Sequence, residues 1–166
     1  MWCRMLGIEG LRQVAVTSVM NNQYMLAEIM DKVPGVALKY DTGNRRMEQT
    51  RLSFGPLMEE TGCGVIDVNH RIVDYGISEL WMSHHPFTVP EPFTPEPCES
   101  YNKDDIDYYV EVLRRIAEEC KTDPEMVKSA PHKAARHAPV GIPETTSEKD
   151  FEKLATTWRA YVKRFK

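Results

Sequence analysis

The apolar residues near the start of the chain recur at intervals of three and four positions. They are Ile8, Leu11, Val14, Ala15, Val19, Met25, Leu26, Ile29 and Met30. Because residues three or four apart share one face of an α-helix, this spacing predicts an amphipathic helix over residues 8–30. Pro34 and Gly35 then end it, since proline cannot donate into the helical hydrogen bonds and glycine tolerates a turn.

Segments with the composition of β-strands follow this helix. Residues 36–40 and 47–54 are rich in strand-forming side chains, and residues 41–44 between them suit a turn, so a hairpin is predicted. Prolines then recur from Pro86 to Pro97, and each removes a backbone donor. This stretch excludes helix and permits only short extended segments, which we expect near residues 80–82 and 93–94.

Three further helical patterns occur between residue 67 and the linker. Residues 67–75 predict a short helix, and Gly76 suits its C-terminal cap. Asn102 suits the N-cap of a longer helix with the apolar stripe Ile106, Tyr109, Val110, Leu113, Ile116 and Ala117. Asp123-Pro124 opens a shorter helix, because proline at the first helical position loses no hydrogen bond.

The end of the chain predicts a separate amphipathic helix. Residues 138–144 form a proline-punctuated linker, and residues 147–166 begin with a capping-box pattern. One helical face then carries Phe151, Leu154, Ala155, Trp158, Val162 and Phe165. So apolar a stripe is unfavourable in water, and we expect this helix to pack on the same domain.

Composition and charge narrow the class of protein. With 166 residues, 42% of them hydrophobic, the chain has enough apolar side chains for one core, so one domain is expected. Its net charge of −4 argues against a nucleic-acid-binding surface. No apolar run approaches the ~20 residues that span a bilayer, and the start lacks the apolar stretch of a signal peptide. We expect a cytoplasmic protein with neither nucleic acid nor membrane as partner.

Two neighbouring histidines are the most conspicuous polar pair. His84 and His85 lie in the proline-rich stretch, where binding residues are often placed. Adjacent residues in extended backbone point to opposite sides, and a third ligand with suitable spacing is missing. The 4 cysteines are far apart and form no Cys-x-x-Cys motif. We therefore predict no metal site, and a solvent-facing loop or a subunit contact is the expected role of the histidines.

Several other charged residues are candidates for a binding cleft. Glu91, Glu96 and Glu99 suggest paired carboxylates for acid–base chemistry, but their spacing does not show that two converge, and simple solvation is the alternative. Arg45-Arg46 follows the predicted turn and could hold a carboxylate or phosphate through the guanidinium fork. No glycine-rich phosphate loop or nucleophile elbow is present. The residues thus predict an α/β domain without a complete catalytic set.

Four groups of short motifs, in a fixed order, carry a family resemblance. They are RMLGIEGLR at 4–12 with NNQY at 21–24, RIVDYG at 71–76, VPE at 89–91 with EPCES at 96–100 and Lys103, and KSAPH at 128–132. Together they resemble the C-terminal part of the glycine-cleavage P-protein, the pyridoxal phosphate-dependent glycine decarboxylase, in the second subunit of its two-subunit form. The resemblance covers residues 1–140, and residues 141–166, with the linker and the atypical helix, depart from it.

The resemblance implies a fold and a division of labour between domains. It implies the small C-terminal domain of a fold-type-I pyridoxal phosphate enzyme, an α/β fold of the α+β two-layer kind with helices packed on a small, mostly antiparallel sheet. In that family the Schiff-base lysine belongs to the preceding large domain, and no counterpart of its motif occurs here. We therefore expect no catalytic or cofactor-binding residue in this chain, and no activity of the chain alone.

The full enzyme of this family decarboxylates glycine on pyridoxal phosphate and passes the aminomethyl group to the lipoyl arm of H-protein. The resemblance implies that this domain shapes the active-site mouth and the contacts with the large pyridoxal phosphate-binding domain or the other P-protein subunit. The residues expected nearest to that cleft are Arg46, His84, His85, Glu96, Glu99 and His132.

An alternative from a different class stays open. The chain could be a free-standing, non-catalytic orphan domain that oligomerises or binds a partner protein. In either case we expect self-association, because a small domain separated from its large partner exposes apolar surface. A third possibility, an enzyme activity of its own, rests only on His84 and His85.

Overall fold

A computed structural model describes residues 1–40, 46–47, 49–78, 80–83 and 88–132. Five helices occur in these residues: α1 (Trp2–Lys32), α2 (Gly55–Thr61), α3 (Val65–Val73), α4 (Lys103–Thr122) and α5 (Pro124–Lys128). Three strands accompany them: β1 (Ala37–Leu38), β2 (Leu52–Ser53) and β3 (Pro92–Phe93). The linker and helix predicted over residues 138–166 lie outside the described residues.

The three strands form one antiparallel sheet in the order β1-β2-β3. Leu52 pairs with both Leu38 and Phe93, so β2 is the central strand. Met82 adds an isolated bridge to Phe93. The fold class is confirmed: helices pack on a small antiparallel sheet.

The predicted strands are correct in place but too long. The segments predicted over 36–40 and 47–54 contribute only Ala37–Leu38 and Leu52–Ser53 to the sheet. Helix α2 was not predicted, because its sequence opens with Gly55-Pro56 and is followed by Gly62, which together are typical of a turn. Proline is tolerated in the first turn of a helix, where its missing N–H leaves no bond unmade.

Helix α1 extends the predicted element at both ends and is broken near its start. Gly7 has φ 65° and ψ −176°, which interrupts the helix between Leu6 and Ile8. Glycine reaches this backbone conformation without the steric cost that a Cβ atom adds. The buried residues of α1 are Asn22, Met25 and Ile29, so only its C-terminal half enters the core.

The core lies between the C-terminal half of α1, the sheet and α4. Helix α4 packs against α1, α2, α3 and α5. Its N-cap is Asn102, as predicted, and the structure adds a capping box in which Asn102 and Asp105 each accept from the other's backbone N–H at 3.0 Å. The rings of Phe54 and Phe93 stack with centroids 4.5 Å apart. Within the described part of the chain, no helix is long and apolar enough to cross a membrane.

Candidate functional site

Asn21 ties the middle of α1 to the loop that precedes α4. Its Nδ2 donates to the carbonyl oxygens of Cys98 and Tyr101, both at 2.9 Å. The two bonds hold the EPCES loop, residues 96–100, against the helix. The position of Glu96 and Glu99 relative to the core therefore depends on a side chain about 80 residues earlier in the sequence.

The two residues after Asn21 fix a second segment. Asn22 Nδ2 donates to the carbonyl of Met47 at 2.9 Å, and Gln23 Nε2 donates to that of Arg46 at 2.6 Å. Thr50 Oγ1 also donates to Asn22 Oδ1 at 3.3 Å. Consecutive helical side chains point about 100° apart, so three carboxamides in a row reach neighbours on different sides of α1.

A cavity of about 300 Å³ opens beside this loop, between α4 and the segment that follows α3. We call it the aromatic–acidic pocket, and the residues that define it are Trp81, Tyr101, Tyr108, Tyr109, Glu96 and Asp105. Proline, isoleucine and methionine residues complete its walls together with Gly76 and Ser78, and no lining residue in the described part of the chain carries a positive charge. The pocket is therefore a small apolar cleft with two carboxylates.

Some polar groups of the aromatic–acidic pocket are hydrogen-bonded within the described part of the domain and others are not. Tyr108 donates to the carbonyl of Tyr75 at 2.6 Å, and Tyr109 donates to that of Leu80 at 3.3 Å. Burial raises the pKa of Tyr109, so its hydroxyl stays protonated and acts as a donor. Glu96 is exposed and has no hydrogen-bond or ion-pair partner among the described residues.

A second cluster of charged residues joins α3, α4 and the segment after α5. Arg71 donates to Glu119 from Nε and Nη2, at 2.8 and 3.0 Å, and from Nη1 to Asp74 Oδ2 at 2.8 Å. His132 donates from its backbone N–H to Asp74 Oδ1 at 2.7 Å. Tyr75 donates to Glu119 Oε1 at 2.6 Å, so Glu119 accepts from two different side chains.

The electrostatics of this charged cluster favour its ionised form. Burial acts to raise the pKa of Glu119, but hydrogen bonds from Arg71 and Tyr75 outweigh it and hold the pKa below its ordinary value. The bond to Glu119 correspondingly raises the pKa of Arg71. The cluster is therefore a fixed ion network, which suits a structural role better than proton transfer.

The described residues that were predicted to lie near one cleft do not meet at a single site. Arg46 donates from its guanidinium to the carbonyls of Tyr40 and Lys39, so it holds backbone and not a free anion. Glu96 lines the aromatic–acidic pocket, whereas Glu99, three positions later, is exposed and outside the pocket lining. His132 belongs to the charged cluster. His84 and His85 lie outside the described residues.

Glu91, the third candidate carboxylate, serves a helix end. Its Oε2 accepts from the backbone N–H of Val65 at 2.6 Å, at the start of α3. A carboxylate there satisfies a free backbone donor and complements the helix dipole. Among the described residues, no three histidine, cysteine, aspartate or glutamate side chains are arranged to hold a metal ion.

Sequence reasoning missed the residues that build the site. Asn21, Asn22 and Gln23 interrupt an otherwise apolar stripe, and three adjacent carboxamides were a signal that could have identified them as anchors. Trp81 and the Arg71–Glu119 pair had no such signal, because their partners lie far away along the chain.

Comparison with known proteins gives one family. Residues 14–140 match the family described as "Glycine dehydrogenase, C-terminal domain". A curated relative from Pyrococcus horikoshii, named "Probable glycine dehydrogenase (decarboxylating) subunit 2", is 37% identical over 134 residues, which cover 81% of this chain and 26% of the relative. A relative of the same name from Pyrococcus furiosus is 32% identical over 164 residues, covering 96% of the chain and 30% of the relative. The chain thus spans between about a quarter and a third of the length of these relatives.

Proposed function

Because the chain belongs to the family of glycine dehydrogenase C-terminal domains, we propose that it acts as the C-terminal domain of a subunit 2 in a two-subunit, pyridoxal phosphate-dependent glycine decarboxylase. The observation that carries the proposal is the match over residues 14–140, together with the small share of each relative that the chain spans. The domain shapes the mouth of the active site and the contacts between subunits, and the chemistry takes place on the remainder of the enzyme.

The aromatic–acidic pocket does not fit pyridoxal phosphate. Its charged residues among those described are Glu96 and Asp105, and none of the described lining residues is basic, so the phosphate of the cofactor would be repelled. A site for this cofactor needs donors for the phosphate and a lysine for the aldehyde. We therefore place the cofactor on the large domain of the full enzyme and derive no chemical step in this chain.

Several of the described lysines form surface ion pairs. Lys103 pairs with Asp107, and that hydrogen bond raises its pKa. Lys32 pairs with Glu28, which also raises its pKa, and Lys121 lies 2.9 Å from Glu60. A lysine that attacks an aldehyde must lose its proton, which a lowered pKa favours. These side chains are built as surface ion pairs.

The N-terminal half of α1 supports a role beside a large partner. Trp2, Met5, Ile8, Val16 and Met20 are all exposed, and Ile8 is 89% exposed. Exposed apolar residues gathered on one element are typical of a surface that another protein surface covers. We propose that the large pyridoxal phosphate-binding domain or the other P-protein subunit covers this half of α1. We also propose that lipoyl-bearing H-protein binds to the assembled enzyme.

A domain exchange tests the proposed function. The matched domain of the Pyrococcus horikoshii subunit 2 is replaced by this chain, and the chimera is assembled with the other subunit of that enzyme. We expect release of labelled carbon dioxide from carboxyl-labelled glycine, whereas a subunit 2 without the domain is inactive. A chimera that folds and retains the absorbance of bound cofactor, yet is as inactive as the deletion, contradicts the proposal.

The chain alone provides a second test. Reduction with borohydride in the presence of pyridoxal phosphate should give sparse labelling spread over surface lysines, measured by intact mass. A single stoichiometric adduct at one lysine contradicts the division of labour proposed here. If the chain self-associates but binds neither subunit of the relative's enzyme, the orphan-domain alternative is supported instead.

A further inference from the structure

We propose that the aromatic–acidic pocket binds a primary ammonium group carried on a short apolar stem. The inference rests on the cavity and its lining and does not depend on the family of the chain. The pocket's volume of about 300 Å³ lies at the lower end of the range of small-molecule sites, so a ligand of only a few carbon atoms suits it.

The lining selects the charge of the ligand. Aromatic faces attract cations through their quadrupole, and Trp81, Tyr101 and Tyr108 bring three such rings to one cavity. Glu96 and Asp105 add formal negative charge at the same place, and none of the described lining residues carries a positive charge. A cation is therefore favoured, an anion is repelled, and the apolar walls suit an aliphatic stem.

The two cation–π contacts found among the described residues lie outside this pocket. Arg71 lies 5.3 Å from the centroid of the Tyr75 ring and Lys103 lies 5.0 Å from that of Tyr24, and neither ring lines the pocket. Glu96 has no hydrogen-bond or ion-pair partner in the described part of the chain. The pocket thus offers a cation site in which at least one carboxylate is free to pair with a ligand.

The backbone of Trp81, a residue that lines the pocket, is conformationally strained. Its backbone has φ 63°, a left-handed conformation that a bulky residue rarely adopts, and the residue as a whole is 48% exposed. The strand pairing maintains this conformation, because the N–H of Thr94 donates to the Trp81 carbonyl at 2.8 Å. Strained residues of this kind concentrate at ligand sites, and here the strain presents a large ring at the mouth of a cavity.

The loop that carries the free carboxylate is also held in place before any ligand binds. Asn21 fixes the carbonyls of Cys98 and Tyr101, and Pro95 and Pro97 flank Glu96 and restrict its backbone. Because a pre-organised loop loses little conformational freedom on binding, even a small ligand can bind measurably.

To test this, the whole chain is titrated with n-butylammonium chloride. Binding is measured by isothermal calorimetry and by the NMR shift of the Trp81 indole N–H. Saturable binding that weakens as salt is raised is expected, and n-butanol, which lacks the charge, should bind much more weakly. Absence of saturation, or equal binding of butanol, overturns the proposal, since it would show a merely apolar cleft.

Two glutamate variants test the charge. Glu96→Gln keeps the size of the side chain and, because Glu96 is exposed, leaves the fold intact; it should weaken n-butylammonium binding about fivefold. Glu99→Gln removes the same charge three positions along the same loop, outside the pocket lining, and should bind like the parent. If both variants weaken binding equally, the effect is one of general surface charge and the pocket is not the site.

A tryptophan variant tests the ring without straining the backbone. Trp81→Gly removes the indole at a position whose φ of 63° glycine adopts readily, so the variant should fold and lose most of the binding. Trp2→Ala is the matched control, because Trp2 lies on α1 outside the pocket lining. Undiminished binding by a folded Trp81→Gly variant overturns the proposal.

A second ligand distinguishes the source of the ammonium group. Nα-acetyl-lysine methylamide presents the lysine side chain as a polypeptide does. If it binds more tightly than n-butylammonium, the pocket accepts a lysine of a protein partner; if less tightly, it accepts a free amine. Both outcomes support the cation site, and failure of both ligands to bind overturns it without affecting the domain exchange that tests the proposed function.

Discussion

Arg71 shows how one side chain can connect distant parts of the sequence. Its guanidinium joins Glu119 on α4 and Asp74 after α3, and Asp74 in turn accepts from the backbone of His132. The side chain of Asp74 is only 1% exposed, so its charge depends on these partners. An ion pair in this environment is costly to break, because the remaining charge is left without compensation.

Replacing Arg71 by methionine should therefore destabilise the domain strongly. We expect Arg71→Met to lower the free energy of unfolding by about 3 kcal/mol. Arg114→Met is the matched control, since Arg114 pairs with Glu111 and Glu118 on the surface of α4, where such pairs contribute about 0–1 kcal/mol. Urea unfolding followed by circular dichroism measures both, and similar losses for the two variants would contradict the structural role of the charged cluster.

His70 makes stability depend on pH. Its burial in α3 lowers its pKa below the ordinary 6.5, and Asp67 opposes this only in part. The folded state therefore binds fewer protons than the unfolded state, so stability is lost as the pH falls through 6.5 toward the folded pKa. We expect His70→Gln to reduce the loss of stability between pH about 7.5 and about 5.5. Urea unfolding measures this at both pH values. If the midpoint falls by the same amount in parent and variant, the assignment to His70 is wrong.

At the scale of elements, the middle of α1 organises the loops around it. Three carboxamides on this helix bind the carbonyls of four residues in two loops: Arg46, Met47, Cys98 and Tyr101. Carbonyls in irregular segments lack partners from regular secondary structure, so side-chain donors complete their hydrogen bonding. Helix α1 is thus a scaffold for both the Arg46 segment and the loop of Glu96.

Asn21→Ala tests this scaffold role. The variant removes two hydrogen bonds to the loop before α4, which should lower stability by about 1–2 kcal/mol and increase hydrogen exchange at the Tyr101 amide, which donates to Cys98 at 3.4 Å. Gln13→Ala on the same helix should have neither effect, because Gln13 is exposed and donates to Glu9 one turn away. Unchanged exchange in the Asn21 variant would show that other contacts fix the loop.

At the scale of the whole molecule, the N-terminal half of α1 exposes several large apolar residues, among them Trp2, Ile8 and Met20. We expect the chain to self-associate as its concentration rises, and Ile8→Lys to shift the equilibrium toward monomer. Met58→Lys, which changes an exposed methionine on α2, should not. Sedimentation velocity distinguishes these outcomes, and a parent that remains monomeric throughout contradicts the expectation.

The sequence by itself determined the elements whose signals are local. The period of the apolar stripe and the Asn102 cap located α4, and Pro34-Gly35 located the end of α1 to within a few residues. Ordered motifs from residue 4 to residue 132 also identified the family and with it the fold class. These features could be recognised because periodicity and capping depend on neighbours within one or two helical turns.

The tertiary structure alone decided which distant residues meet. It brought Arg71 to Glu119 across 48 positions, placed Glu96 with Trp81 and Tyr101 in one cavity, and left Glu91 as a helix cap. It also shortened the predicted strands, because pairing requires a partner of matching length and not only a suitable composition. Contacts between residues far apart in sequence arise from the packing of whole elements, for which a local pattern holds no signal.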